Sequence, residues 1–176
     1  MKTSVLLIIM IITNQSMTIF NFNKSSNINN WSVIDDVVMG GKSSGIFHAD
    51  EKGNGVFEGS ISLEKNGGFS SVRYRFSKIS TKGYSKIILR VKGDGKNYQF
   101  RVKANSTDKH SYITTFQTTV EWTTINISLS DMHPMFRGRN LDIPNYDKLG
   151  IEEIAFLIGN KTTENFKLKI DSIILE

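Results

Sequence analysis

The chain has 176 residues, of which 39% are hydrophobic and 22% are charged, and its formal net charge is +5. This composition predicts a globular protein with a sizeable core and excludes a disordered or fibrous one. Because the chain has no cysteine, disulfides, thiolate metal sites and a cysteine nucleophile are also excluded. The positive charge suits nucleic acid, an anionic membrane surface or an acidic partner, and does not choose among them.

The first residues have the layout of a secretory signal peptide. Lys2 precedes an apolar run from Val5 to Ile12, and polar residues follow this run. The run is shorter than the ~20 apolar residues that span a bilayer, and a basic residue ahead of such a run is typical of export. We therefore expect residues 1–16 to be removed, leaving residues 17–176 as one exported domain, periplasmic or secreted, without a transmembrane span. The alternatives are an uncleaved anchor or a misassigned start, and a cytoplasmic location follows if the segment is not a signal.

After this segment, apolar and polar residues alternate with a period of two. The clearest alternating runs are 18–22, 57–63, 72–76, 112–118, 125–129, 154–158 and 166–170. Short alternating runs bounded by Gly, Ser, Asn or Lys predict β-strands with one buried face. About ten such strands without a helical segment predict an all-β domain, folded as a β-sandwich or jelly roll.

Within residues 31–45 a predicted strand ends in a loop. The packing of apolar side chains does not explain the residue composition of this loop. The strand pattern runs into the carboxylates of Asp35 and Asp36 and then into the pair Gly40 and Gly41. Paired glycines permit positive φ and a close approach of backbone N–H groups. The carboxylates then either tie the loop down or take part in binding. A Ca²⁺ ion held by either carboxylate and loop carbonyls stays open, because its oxygen ligands cannot be counted from sequence.

The segment 86–103 predicts a β-hairpin. Asp94-Gly95 separates two alternating runs, and an Asp-Gly pair favours a two-residue type I′ turn. This register sets Val91 opposite Tyr98, and further apolar pairs follow along both strands. It also gathers polar residues on the other face, namely Arg90, Lys92, Gln99, Arg101 and Lys103.

A second polar loop and the strand after it, 66–73, read N-G-G-F-S-S-V-R. Glycines, an aromatic ring, hydroxyls and a guanidinium together suit a polar ligand. We expect Arg73 and Arg75 to line a concave sheet surface with Arg90, Gln99 and Arg101. Planar hydrogen-bond donors of this kind can bind both sugars and peptide chains. The alternative is a solvated face whose cations prevent aggregation.

Residues 131–147 contain both prolines and a basic Arg-Gly-Arg triplet, and they predict a long ordered, functional loop. We expect Arg137 of this loop to close a site that the loops 35–43 and 66–73 form at one end of the sandwich. Asp36 and Arg73 are expected to attract each other there. The expected binding residues are Asp35, Asp36, Met39, Gly40, Gly41, Ser43, Asn66, Gly67, Gly68, Phe69, Ser70, Arg73, Arg101 and Arg137.

No motif predicts catalysis, a cofactor or a metal. Residues 41–45 spell G-x-S-x-G, but that motif works on a strand-to-helix turn with a downstream acid and histidine. Gly-Lys-Ser within the same segment lacks the first glycine of a P-loop. The three histidines have no metal-binding spacing, and adjacent carboxylates on a strand point to opposite faces. Nucleic acid is not expected either, because no exposed aromatics alternate with the basic residues as in a stacking platform.

The chain carries four motifs in order: D-D-V-V-M-G-G-K-S-S-G, F-E-G-S-I-S-L-E-K-N-G-G-F-S-S-V-R, K-G-D-G-K-N-Y-Q-F-R and P-M-F-R-G-R. Together they resemble the complex I intermediate-associated protein family. The resemblance implies a galactose-binding-like jelly roll, similar in architecture to carbohydrate-binding modules, with no known catalytic activity. In mitochondria such proteins help to assemble respiratory complex I, whereas this chain lacks an arginine-rich transit peptide.

Two functions follow for the predicted domain. The resemblance implies a protein-binding assembly or chaperone-like factor whose partner is a client protein. The fold favours, as the alternative, a carbohydrate or small polar-ligand binding module of the cell envelope.

Overall fold

The computed structural model describes residues 15–176, so the expected signal peptide falls almost entirely outside the described residues. The described chain is built of β-strands and short 3-10 helices, and it contains no α-helix. The strands are β1 (Met17–Asn21), β2 (Trp31–Asp35), β3 (Ser44–Ala49), β4 (Gly55–Ile61), β5 (Ser70–Ser80), β6 (Lys86–Lys92), β7 (Asn97–Lys103), β8 (Ser111–Gln117), β9 (Thr123–Ser128), β10 (His133–Phe136), β11 (Arg139–Asn140), β12 (Gly150–Ile158) and β13 (Glu164–Leu175). The 3-10 helices span Asp36–Met39, Glu64–Asn66 and Leu129–Asp131. The all-β prediction is therefore confirmed, with thirteen strands over residues 15–176 in place of about ten.

The strands form two antiparallel sheets. In the six-stranded sheet the order is β3-β4-β13-β6-β9, and β1 pairs with the second half of β13. In the seven-stranded sheet the order is β11-β10-β8-β7-β12-β5-β2. Antiparallel ladders with one buried face produce the period of two that the sequence shows.

The core lies between the two sheets and takes every second residue of their strands. Inward residues such as Leu89 and Leu168 of one sheet, and Val72 and Phe100 of the other, are 0% exposed. Strand β12 differs because it is buried on both faces. Its inner residues join the core, and its outer residues Glu153, Ala155 and Leu157 are also buried.

The sandwich edge between β2 and β3 is closed by aromatic rings. Trp31 stacks between Phe47 and Tyr74, with ring centroids 5.0 and 4.9 Å away. Phe20 and Phe22 each approach Trp31 at 5.4 Å. Stacked and edge-on aromatic pairs add about 0.5–1.5 kcal/mol each beyond their burial. This packing holds the start of β2 and so places the loop that follows it.

The predicted hairpin across Asp94-Gly95 is wrong. Strand β6 pairs with β9 and β13, whereas β7 pairs with β8 and β12 in the other sheet. The connection is a crossover in which the Asp94 carboxylate accepts hydrogen bonds from the Tyr98 hydroxyl at 3.2 Å and the Lys167 amide at 2.9 Å. The inward residues of both strands are buried as predicted, but they meet across the core. Arg90 therefore lies on the outer face of the six-stranded sheet, away from Arg101.

The expected long loop 131–147 is only partly a loop. It contains β10 and β11, and β10 extends the seven-stranded sheet beyond β8. Pro134 has no N–H to donate, yet its carbonyl accepts a hydrogen bond from Leu141 N at 3.0 Å. Tyr146 is buried, and its hydroxyl donates to the Gly150 carbonyl at 3.1 Å, which fixes the end of the segment.

Candidate functional site

The loops 35–43 and 66–70 pack together around the side chain of Asp36, which is 0% exposed. Its Oδ2 accepts hydrogen bonds from Ser43 Oγ and Gly68 N, both at 2.5 Å, and a longer one from Phe69 N. Its Oδ1 accepts one from Ser43 N at 2.9 Å. Burial alone raises the pKa of Asp36, but the hydrogen bonds from Ser43, Gly68 and Phe69 outweigh it and leave the pKa below its usual value.

The glycines of both loops make room for this carboxylate. A Cβ on Gly41 would lie 2.2 Å from Asp36 Oδ1, and a Cβ on Gly67 would lie 2.6 Å from Oδ2. Gly68 adopts a φ of +133°, which a residue with a side chain rarely does. The structure therefore confirms that the two loops lie side by side and explains the paired glycines by close backbone approach. That these loops bind a ligand stays a prediction.

Asp35 also holds the two loops 35–43 and 66–70, which we together call the loop end. Its Oδ1 accepts a hydrogen bond from Ser70 Oγ at 2.5 Å, and its Oδ2 accepts one from Gly45 N at 3.0 Å. All four carboxylate oxygens of Asp35 and Asp36 thus receive N–H or O–H donors, an arrangement that suits loop ties better than cation ligands. No group of three or more potential metal-ligating His, Asp or Glu side chains occurs within residues 15–176.

Ser43 holds the loop and is not arranged as a nucleophile. It is 1% exposed, donates its hydroxyl hydrogen to Asp36, and accepts a hydrogen bond from Ser62 N at 3.0 Å. His48 lies on the outer face of the six-stranded sheet, where its Nε2 is 3.1 Å from Glu58. The G-x-S-x-G pattern at 41–45 is accordingly a loop built around a buried carboxylate.

The tip of the loop end is apolar and exposed. Met39 is 60% exposed, and Val37 and Val38 before it are 60% and 75% exposed. Asn66 is also exposed and has a φ of +59°. The loop end adjoins the outer face of the seven-stranded sheet at Gly159, whose Cβ would lie 3.4 Å from both Leu157 and Phe69.

Two expected members of the site lie elsewhere. Arg73 points to the outer face of the seven-stranded sheet, and its guanidinium makes no hydrogen bond to Asp36. The carboxylate oxygens of Asp36 accept their hydrogen bonds from Ser43 and Gly68 instead. Arg137 occupies the β10–β11 turn with a φ of +50°, its guanidinium over the Phe136 ring. Because the β10–β11 turn and β2 lie on opposite sides of the sheet, Arg137 cannot close the loop end.

The outer face of the seven-stranded sheet gathers cationic side chains from β5 and β7 on either side of β12. We call this surface the basic face; its residues are Arg73, Arg75, Gln99, Arg101, Lys103, Glu153 and Ala155. Of the expected concave surface it keeps Arg73, Arg75, Gln99 and Arg101 and lacks Arg90.

In one row of the basic face a carboxylate lies between two cations. Glu153 of β12 pairs in register with Arg75 of β5 and Lys103 of β7. Its Oε2 is 2.6 Å from Arg75 Nε, and its Oε1 is 3.9 Å from Lys103 Nζ. Glu153 is 3% exposed, and a carboxylate this buried is retained only when charged partners compensate it.

In the next row an alanine takes the place of the carboxylate. Ala155 is in register with Arg73 on one side and Arg101 on the other. Arg101 donates from Nε to Gln99 Oε1 at 3.1 Å and from Nη2 to the Met135 sulfur at 3.9 Å. Among the described residues neither Arg73 nor Arg101 forms an ion pair with a carboxylate.

The cations of this row are held without full compensation. Burial lowers the pKa of Arg101 to about 10, and the charge of Arg73 contributes to the shift. Burial also lowers the pKa of Arg73, although Glu153 acts in the opposite direction. Both guanidiniums remain charged at neutral pH, so they attract an anion more strongly than exposed arginines do.

A depression on the other sheet is less suited to binding a charged group. It has a volume of about 710 Å³ and is lined by residues that include Glu58, Asp94 and Lys167. Its charges already neutralise one another, since Lys167 contacts Glu58 at 2.6 Å and Lys96 contacts Asp94 at 3.0 Å.

Sequence reasoning missed the two residues of β12 that organise the basic face. The alternation of Ile154, Phe156 and Ile158 already placed Glu153 and Ala155 on the other side of the strand. A glutamate at the start of an otherwise apolar strand was the available signal. Which strands flank β12 was not visible in the sequence.

Solved structures with a similar fold include carbohydrate-binding modules. The Family 11 Carbohydrate-Binding Module of the cellulosomal cellulase Lic26A-Cel5E of Clostridium thermocellum has a TM-score of 0.68 and 17% identity, covering 92% of this chain and 94% of that chain. The family 11 module of the same organism in complex with a β-1,3-1,4-mixed-linked tetrasaccharide has a TM-score of 0.66 and 17% identity, with 91% and 94% covered. A family 29 module has a TM-score of 0.55 and 13% identity, with 92% and 91% covered. At such identities the likeness shows the fold alone, and it confirms the predicted sandwich.

No helix within residues 15–176 has the length and apolar character needed to cross a membrane.

The sequence matches a family model, although no individual curated protein sequence matches the chain. The model of the family described as Complex I intermediate-associated protein 30 (CIA30) matches residues 20–170, which confirms the resemblance. The chain belongs to the complex I intermediate-associated protein 30 family.

Proposed function

We propose that this chain is a non-catalytic binding domain that holds another protein on its basic face, as an assembly or chaperone-like factor. One observation carries the proposal: Arg73 and Arg101 are half-buried on either side of Ala155 and have no carboxylate partner among the described residues. Guanidinium forks held in this way are suited to bidentate recognition of a partner's polar groups. The family description, which refers to an intermediate of complex I, supports a protein as the partner.

The loop end forms the apolar rim of the proposed surface. Its exposed residues Val37, Val38 and Met39 stand on a loop whose backbone Asp36 fixes from below. Apolar side chains on a rigid loop lose little conformational freedom when a partner covers them, which favours binding. In this proposal residues 17–176 act as the mature domain outside the cytoplasm, after residues 1–16 are removed.

Binding of a glycan is the second candidate, because the similar solved structures are carbohydrate-binding modules. One of those modules carries a mixed-linked tetrasaccharide. The basic face has no aromatic side chain among its defining residues, whereas pockets for neutral ligands are lined mainly by apolar and aromatic groups. This difference ranks the protein partner first.

Affinity capture from the envelope of the exporting cell tests the proposal, with a glycan array run in parallel. The double variant Arg73→Lys, Arg101→Lys retains both charges but loses the bidentate forks, so we expect it to release the captured protein. Arg90→Lys on the outer face of the other sheet is the matched control and should capture the partner normally. Equal capture by the folded double variant would exclude the basic face, and a glycan signal that the double variant removes would favour the second candidate.

A further inference from the structure

The two central rows of the basic face differ in one group. In each row β5 and β7 supply a cation, namely Arg75 and Lys103 around Glu153, and Arg73 and Arg101 around Ala155. The first row shows how this sheet binds a carboxylate, with contacts of 2.6 and 3.9 Å from the two sides. The second row repeats the flanking cations, while β12 contributes only a methyl group there.

We infer that the row of Arg73, Ala155 and Arg101 binds a carboxylate of an acidic segment in the partner protein. The inference rests on the proposed function and names the chemical group that the partner presents. The bound carboxylate stands above Ala155 and accepts hydrogen bonds from both guanidiniums. The carboxylate of Glu153 lies between its two neighbours in the same way, accepting a hydrogen bond from Arg75 and forming a longer ion pair with Lys103.

The geometry of the sheet suits a single carboxylate between the two arginines. Neighbouring strands are about 4.8 Å apart, so β5 and β7 lie about 10 Å from each other across β12. Two arginine side chains converging from this separation can grip one carboxylate that enters above the small side chain of Ala155. Ala155 is 4% exposed, which shows that neighbouring side chains already cover it, and these side chains would flank a carboxylate bound above it. Partial burial strengthens each charged hydrogen bond.

An acidic protein segment fits this surface better than an acidic polysaccharide. The row offers cations but no aromatic ring against which a sugar could stack. The adjoining loop end adds the exposed apolar residues Val37, Val38 and Met39, which suit the apolar side chains of a protein. Charge complementarity thus supplies the anchor, and the apolar rim adds contact area.

The substitution Ala155→Glu tests the inference because it places the chain's own carboxylate between Arg73 and Arg101. Binding is measured by calorimetry with poly-L-glutamate as the probe and polygalacturonate in parallel, at low salt. We expect poly-L-glutamate to bind the natural chain and Ala155→Glu to weaken it by about tenfold or more, the factor that one charge-assisted contact of about 1.4 kcal/mol supplies. The same variant should melt at a higher temperature, since its carboxylate compensates two half-buried cations.

Two control variants separate this site from general charge effects. Ala155→Gln adds the same bulk without charge, and Asn126→Glu adds the same charge on the outer face of the other sheet. Asn126→Glu should bind poly-L-glutamate within about twofold of the natural chain, because its charge is on the opposite sheet. Ala155→Gln occupies the space above residue 155 without a competing charge, so it should bind more weakly than the natural chain but more tightly than Ala155→Glu. An equal loss in Ala155→Glu and Asn126→Glu, or undiminished binding in Ala155→Glu, would overturn the inference. Binding of polygalacturonate alone would overturn the assignment to a protein segment.

If Ala155→Glu does not fold by circular dichroism, Arg101→Gln takes its place, and it should weaken poly-L-glutamate binding by a similar factor. Competition distinguishes this inference from the proposed function. If partner capture requires Arg73 and Arg101 but poly-L-glutamate neither binds nor competes, the inference fails and the proposed function stands. If capture ignores both arginines, the proposed surface fails, whatever poly-L-glutamate does.

Discussion

Replacement of Asp36 by alanine should strongly destabilise the domain. The substitution removes three short hydrogen bonds, two at 2.5 Å and one at 2.9 Å, from a fully buried carboxylate. Hydrogen bonds to charged groups contribute about 1.5–3 kcal/mol each, and buried donors left without acceptors cost a similar amount. Water can reach the half-buried Gly68, so we take the lower end of this range and expect a loss of about 4 kcal/mol. Such a loss is a large fraction of the 5–15 kcal/mol typical of a domain, and it corresponds to roughly 12 °C in melting temperature.

Denaturant unfolding followed by tryptophan fluorescence and far-UV circular dichroism measures this loss. Asp142→Ala is the matched control, because Asp142 is exposed and makes no hydrogen bond within residues 15–176. The control should stay within about 0.5 kcal/mol of the natural chain. Asp36→Asn should lose less than Asp36→Ala, since its amide oxygen can still accept at the Oδ2 position, whereas its amide nitrogen cannot accept the hydrogen bond from Ser43 N. A free energy of unfolding for Asp36→Ala within about 1 kcal/mol of the natural chain would refute the role of Asp36 as the loop's anchor.

Four further predictions follow. Gly41→Ala should lower the free energy of unfolding by about 2 kcal/mol, because its Cβ would lie 2.2 Å from Asp36 Oδ1. This loss should be smaller when Asp36 is also replaced by alanine. An unchanged loss in the double variant would indicate backbone strain instead. The pKa of Asp36 is lower in the folded state than in the unfolded state, where it is about 3.9. The Asp36 carboxylate therefore stabilises the fold fully above this pH, and its contribution disappears as the pH falls through the folded-state pKa. Below about pH 4, Asp36→Asn should lose less stability on acid titration than the natural chain does. Arg101→Met should raise the free energy of unfolding by about 1 kcal/mol, because it removes a half-buried, uncompensated charge whose pKa is lowered to about 10, whereas the exposed control Arg90→Met should change little. N-terminal sequencing of the protein recovered outside the cytoplasm should begin at Met17, and an intact chain found only in the cytosol would contradict export.

The sequence determined which residues of each strand point inward. Val91 and Tyr98 were predicted to share an apolar face, and both are buried in the core. Alternation is a local property, because successive side chains on a strand point to opposite faces whatever the strand pairs with. The same alternation fits a hairpin and a crossover between facing sheets equally well. The Asp94-Gly95 turn therefore could not reveal that β6 and β7 belong to different sheets.

The glycine pairs in the two loops were also interpreted correctly from sequence, because only unusual backbone geometry explains adjacent glycines in an ordered loop. What they surround was not predicted. Asp36 was expected to attract Arg73, but the backbone amides of Ser43 and Gly68 fill its carboxylate. A sequence cannot show which backbone amides donate to a side chain, because every residue except proline has a backbone N–H. Side-chain charges were the visible candidates, and they proved to lie on another surface.

Only the tertiary structure decided where the arginines act. Arg73 and Arg101 belong to β5 and β7, and they face one another because β12, much later in the chain, pairs between these strands. Arg90 and Arg137 are equally basic, but strand pairing places one on the opposite sheet and the other at a far edge. Strand order depends on long-range hydrogen bonds and on the total packing of the core, which no local pattern encodes. The sequence thus supplied the charged groups, while the pairing of β12 determined which of them meet.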